Sequence, residues 1–228
     1  MKEGKVLSVL KKSLFIMLTA FLVFVFSTTG AKAASKNPGL TYKESSMWLE
    51  KGRQSSSLYP ITYVKKGDRI IKAKSSNAKV ATAEAAEAYD TGLPALRVVP
   101  KKTGNTKVTV VVKRGNKTYT SGMNVHVVKY KNPLKSFKIG NKEYAGKLGE
   151  HSNTSDYLSG KAKVSAVAKG DWKVTGLFTY NYNTKKGKNY KNGKTIDLGK
   201  VTQVSVLVQN KKNPKIQLSV HVLANARN

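Results

Sequence analysis

The chain has 228 residues, with 42 Lys plus Arg against 12 Asp plus Glu, a formal charge of +30 and no cysteine. Zero Cys removes disulfide scaffolds, thiolate zinc sites, iron–sulfur clusters and cysteine nucleophiles, and the three histidines are far apart in sequence. The composition therefore points away from an enzyme, a metal protein or a cofactor carrier.

Residues 1–33 read as a secretory leader. Lys2, Lys5, Lys11 and Lys12 give a positive start, residues 14–26 form an apolar run of 13, and Ala31-Lys32-Ala33 offers small residues at both recognition positions of a signal peptidase. A spanning helix needs roughly 20 apolar residues, so cleavage after Ala33 is expected and the mature chain should hold no transmembrane segment. No Cys follows the cut to accept a lipid, and residues 223–228 show neither a hydrophobic tail nor a wall-sorting motif. The expected location is outside the cell, with any wall association noncovalent.

The charge belongs to the part that remains. Beyond Ala33 there are 37 basic and 11 acidic residues, a net of +26; residues 34–130 contribute +12 and residues 131–228 contribute +14. Lys alternates with Val, Ile, Tyr and Thr throughout, as on the outer faces of strands, instead of collecting in one disordered tail. Only five of the 42 basic residues are Arg. Readers of nucleic acid favour the bidentate Arg fork, so this surface suggests diffuse attraction to a polyanion, with no specific nucleic acid as partner.

Period-2 patterning predicts strands in chain order at 46–49, 58–64, 68–74, 80–83, 95–99, 107–113 and 118–128, then at 134–139, 142–144, 161–168, 172–182, 194–198, 202–209 and 216–223. The only hint of helical periodicity is a turn around 83–88. Lys66-Gly67, Gly115-Asn116, Gly140-Asn141 and Asn192-Gly193 are hairpin signals that call for positive φ. An internal repeat organises these strands. Residues 106–113, Thr-Lys-Val-Thr-Val-Val-Val-Lys, return at 202–209 as Thr-Gln-Val-Ser-Val-Leu-Val-Gln, and each copy is followed by a Val-His-Val strand, at 123–128 and 218–223. Each pair predicts a closing hairpin. Two segments, 34–130 and 131–228, then form tandem domains joined at Tyr130-Lys-Asn-Pro133. About seven short strands in each predict an all-β chain of two immunoglobulin-like sandwiches. Trp172, Val174 and Phe178, of one parity, are the expected centre of the second core.

Residues 74–82, Lys-Ser-Ser-Asn-Ala-Lys-Val-Ala-Thr, followed by the apolar strand 96–99 and by Gly104-Asn-Thr-Lys-Val-Thr-Val-Val-Val112, resemble the group 2 bacterial immunoglobulin-like domain. The resemblance covers most of the first segment. It departs at Ala73, where the family usually has Trp, and in the long stretch 83–94, where a tight Gly turn is usual. It implies a non-catalytic module of surface and secreted proteins, used as adhesin stalk, spacer or carbohydrate-associated domain. The second segment shares only the closing hairpin and strand count.

Asp90-Thr-Gly92 is half of an aspartic-protease signature, but that chemistry needs two carboxylates sharing a proton, and no second copy exists. His126 and His221 alternate with core Val residues and are expected to point outward into solvent; His151 sits in a polar loop without partners. The informative stretch is 178–194, with three Tyr, five Lys and no acid. Its Tyr180, Tyr182, Lys185, Lys186, Lys188, Tyr190, Lys191 and Lys194 are the candidate binding residues, since rings can cover sugar faces while ammonium groups attract phosphate or carboxylate. The ordinary alternative is a twisted hairpin whose Lys keep an edge strand soluble. Lys65, Lys66, Arg69, Lys72 and Lys74 form a weaker basic counterpart in the first segment. Two functions follow: a secreted binding or adhesion protein that attracts an anionic glycan or wall polymer, with room for a protein partner at the surface, or a structural spacer with no ligand.

Overall fold

The computed structural model describes residues 37–88 and 91–224. The leader and Asp90 lie outside the described residues. The chain divides into two compact units between Val127 and Val128. Apart from single 3-10 turns at Ala145–Lys147 and Leu198–Lys200, the regular structure described is all strand.

The first unit contains β1 (Gly39–Leu40), β2 (Glu44–Leu49), β3 (Ser57–Thr62), β4 (Arg69–Ser75), β5 (Ala81–Glu87), β6 (Pro94–Pro100), β7 (Gly104–Arg114) and β8 (Lys117–Lys129). They form two sheets, β1-β3-β6-β5 and β2-β8-β7-β4. Inward residues of both sheets meet in one core, with Leu96 and Val98 from one and Val108, Val110, Val112, Met123 and Val125 from the other, all at most 1% exposed. Each such side chain contributes about 1.5–3 kcal/mol on leaving water, which is what holds two sheets face to face without a disulfide. Residues 81–87 are strand, which overturns the expected helical turn. Every position from Ala81 to Glu87 pairs with β6, and this ladder outweighs the helix propensity of Ala83, Ala85 and Ala86.

The second unit contains β9 (Leu134–Ile139), β10 (Lys142–Glu143), β11 (Asn153–Asp156), β12 (Lys161–Ala168), β13 (Trp172–Asn181), β14 (Lys186–Tyr190), β15 (Thr195–Asp197), β16 (Gln203–Asn210) and β17 (Gln217–Ala224). Its sheets are β10-β9-β12-β15 and β11-β17-β16-β13-β14. Phe137 and Val164 from one and Leu177, Val204, Val206, Val220 and Val222 from the other are fully buried. The chain is thus all-β, with two tandem immunoglobulin-like sandwiches. Both repeated hairpins form, β7 with β8 and β16 with β17.

One expected core group is divided. The register of β13 against β16 shifts between Val174 and Gly176, where the Thr175 hydroxyl donates to the Leu207 carbonyl at 3.3 Å. Val174 pairs with the buried Val208, but beyond the bulge Leu177 and Thr179 take the core side and Phe178 passes to the outer face, where it is still buried. An extra residue in one strand reverses side-chain parity, so Trp172, Val174 and Phe178 are not one cluster. The large buried residues at the centre are Phe137, Tyr144, Leu134, Leu148 and Leu177.

Candidate functional site

β13 and β14 form the predicted hairpin, with Leu177 opposite Tyr190, Phe178 opposite Asn189, Thr179 opposite Lys188, Tyr180 opposite Gly187 and Asn181 opposite Lys186. Asn181 builds its turn: the side-chain oxygen accepts from the Asn183 and Thr184 N–H groups at 3.0 Å, and the amide donates to the Lys200 carbonyl at 2.8 Å. Lys185 closes the turn in the left-handed region at φ 55°. Such a turn is what Asn supplies by bonding to backbone two and three residues ahead.

Strand pleating sorts the candidate residues onto two sides. Phe178, Tyr180 and Tyr182 run along the outer face, with ring centroids 6.3 and 5.0 Å apart, the first pair stacked and the second edge to face. Lys186, Lys188 and Tyr190 lie on the opposite side of the sheet, the side of Leu177 and Thr179, where the Lys188 ammonium stands 5.2 Å from the Tyr190 ring centre. Lys191 and Lys194 flank the crossing to the other sheet. There the Asn192 amide exchanges hydrogen bonds of 2.8 and 2.9 Å with the Ala166 backbone, in the manner of a strand neighbour. The structure thus brings Lys186, Lys188 and Tyr190 together, and Tyr180 and Tyr182 together, as separate groups.

Residues outside the expected set support the outer group. The Tyr182 hydroxyl donates to Gln203 Oε1 at 2.6 Å, the Gln203 amide donates to Ser205 Oγ at 2.8 Å, and His221 Nδ1 lies 3.1 Å from Ser205 Oγ. Burial, with a smaller contribution from the neighbouring Tyr180, pushes the Tyr182 phenol up to about 12, so it stays a neutral donor. Gly187 was not legible as a requirement: a Cβ there would stand 2.5 and 2.8 Å from Phe178 Cζ and Cε2, because the rings lean over this strand's backbone. Gly187→Ala is expected to cost about 1–3 kcal/mol by overpacking. A thermal melt of the full chain checks this; an unchanged melt would mean that the Phe178 ring moves aside freely.

The histidines also depart from expectation. His126 and His221 do lie on the faces opposite Val125 and Val220, yet each is less than 9% exposed. His126 sits with Nδ1 2.8 Å from Asn105 Oδ1 and Nε2 2.9 Å from Glu44 Oε2, and His221 belongs to the Gln203–Ser205 network. A sheet's outer face hides its central residues when longer neighbours fold over them, which alternation alone does not reveal. His151 is half-buried and not without a partner.

Three carboxylates, one in the first unit and two in the second, are tied to neighbouring groups. Asp68 takes a bidentate contact from Arg114, with oxygens 2.7–3.1 Å from the guanidinium nitrogens, and this bond holds its carboxyl below the usual range. Glu143 accepts from the N–H groups of Phe137, Tyr144 and Ala145 at 2.7–3.0 Å and from the Ser136 hydroxyl at 2.6 Å; these bonds outweigh its burial and lower its pKa. Asp156 pairs with Lys142, which pulls it to about 2. Hydrogen bonds to the ionised form favour it, so all three remain charged and spent. Among the described residues no group of three or more His, Asp or Glu could hold a metal ion, and no helix is long and apolar enough to cross a membrane.

No family model and no curated protein matches the chain. Among solved structures it is similar to mouse clustered PcdhgC3 EC1-3, 11% identical over 84% of this chain and 68% of that one, TM-score 0.31. It is also similar to domains 5-6 of the S-layer protein SbsC, 15% identical over 83% and 100%, TM-score 0.27, and to fibronectin(III)-like modules of Clostridium thermocellum CbhA, 13% identical over 82% and 93%, TM-score 0.30. Likeness at this level transfers no function. The sandwich architecture rests on the strand pairing described above.

Proposed function

We propose that this is an exported, non-catalytic binding protein, its first unit a divergent group 2 bacterial immunoglobulin-like domain, that attaches to an anionic glycan or wall polymer through its Lys surface. The observation that carries the reading is the excess of exposed Lys: residues 34–130 carry +12 and residues 131–228 carry +14, and most of the Lys side chains that supply this charge are exposed. Summed over both units, such a field attracts a polyanion over about a Debye length, roughly 8 Å at physiological salt, and fades as salt rises. Within this field the hairpin residues Tyr180, Tyr182, Lys185, Lys186, Lys188, Tyr190, Lys191 and Lys194 add directional contacts to the attraction.

The test is sedimentation of the secreted form, beginning at Ala34, with purified bacterial cell walls before and after removal of their anionic polymers, across a salt series. Binding is expected to need the anionic polymer and to fall steeply with salt. Weak binding at low salt to both preparations would favour the spacer reading instead.

A further inference from the structure

Tyr63, in the loop that carries the chain from β3 to β4, has φ 56° and is 52% exposed. Among the described residues only Tyr63 and Lys185 combine a non-glycine side chain with a left-handed backbone. For a bulky residue that conformation is unfavourable and persists only when the surroundings impose it. Here they do. The Arg114 guanidinium donates to the Tyr63 carbonyl while also gripping both Asp68 oxygens. Asp68 in turn accepts the Lys65 N–H at 2.8 Å and donates its own N–H to the Lys65 carbonyl at 3.0 Å. The guanidinium is backed by the Tyr119 ring, 5.6 Å from its centroid.

This clamp separates the signs of charge. The loop's one acid, Asp68, is turned inward with its side chain only 1% exposed, whereas Lys65 and Lys66, two and three residues after Tyr63, are exposed. Arg69 follows at the start of β4, directly opposite Lys113 of β7. The clamped loop therefore presents a half-exposed aromatic side chain, held at conformational cost, in a stretch of several exposed cations. Preorganisation of this kind lowers what a ligand must lose in ordering the site.

We propose that this loop is a second contact site, for a polysaccharide whose rings carry the negative charge, with Tyr63 covering a sugar face and Lys65, Lys66 and Arg69 drawing its carboxylates. The site rests on the polyanion-binding reading above and deepens it by assigning a ring-bearing ligand to the first unit.

The experiment measures binding of the full secreted chain to polygalacturonate, which has charged rings, and to polyphosphate, which has charge without rings. Tyr63→Gly is the decisive variant, because glycine adopts this φ without strain and keeps the backbone in place. It should melt no lower than the parent, lose about three- to tenfold in affinity for polygalacturonate and bind polyphosphate unchanged. Tyr63→Phe should bind polygalacturonate as the parent does. Substituting Lys65, Lys66 and Arg69 together by Gln should weaken both polymers and flatten both salt dependences. A Tyr63→Gly protein that binds polygalacturonate like the parent, or loses both polymers equally, overturns the site. A parent chain that binds neither polymer in a salt-dependent way overturns the functional reading itself, which separates the two failures.

Discussion

Phe137→Ala should unfold the second unit at a temperature far below the parent's while leaving the first unit's transition where it was. Phe137 is fully buried on β9, and its ring lies 5.9 Å from that of Tyr144, itself only 2% exposed. The neighbouring backbone is tied down as well, with the Tyr144 N–H donating to the Phe137 carbonyl at 2.8 Å and Glu143 bridging both residues. A side chain so enclosed cannot be replaced by collapse of the surroundings, so its loss is expected to cost about 3–5 kcal/mol. For a unit of this size that corresponds to a fall of melting temperature on the order of 15–30 °C. Calorimetry of the full chain is the measurement. Two transitions, of which one moves, would support independent domains at 34–130 and 131–228; a single transition that shifts as a whole would refute them.

The second large effect concerns binding. Replacing Lys185, Lys186, Lys188 and Lys191 by Gln should lower affinity for the wall polymer on the order of tenfold or more and reduce the slope of log affinity against log salt by roughly 2 to 3. All four are exposed, so the melt should stay within about 0.5 kcal/mol of the parent. The two aromatic groups then report which side of the hairpin makes contact. Tyr190→Ala removes the ring that shares a side with Lys186 and Lys188, and it should weaken binding without changing the salt slope. Tyr182→Ala should weaken binding too, but with a drop in stability, because it deprives Gln203 of its 2.6 Å partner. The control is the same substitution at Lys173, Lys211, Lys212 and Lys215, which lie elsewhere on the unit. Equal losses from the control set, with neither Tyr mattering, would mean a diffuse field and no hairpin site.

Much of the strand pattern was legible because one face of each strand is apolar and side chains alternate every second residue. Residues 134–139 and 161–168 form strands at their expected bounds, and the repeated Val-rich hairpins close both units. The failures have particular causes. β11, Asn-Thr-Ser-Asp, has no apolar alternation; it exists because its backbone runs parallel to β17, and such pairing leaves no mark in composition. The alanine-rich β5 reads as helix or strand with equal ease until β6 is beside it. Phe178 is buried, but on the outer face and apart from Val174, because a bulge one turn of the pleat earlier reverses its parity and is invisible in the pattern.

The candidate site divides along the same line. Residue chemistry alone established that the chain is strongly basic, poor in catalytic groups and built of strands, and that residues 178–194 concentrate Tyr and Lys without an acid. Those properties are local or additive, so they survive without knowledge of the fold. Which side of the sheet each ring occupies, why Gly187 must lack a side chain, and how Arg114 holds Tyr63 in a left-handed conformation depend on contacts between residues up to 51 positions apart. Long-range approach is set by register and packing, and a one-residue shift reverses every side chain beyond it. The pairing of Asp68 with Arg114, 46 residues away, turns an ordinary basic loop into a clamped one and leaves its cations facing water.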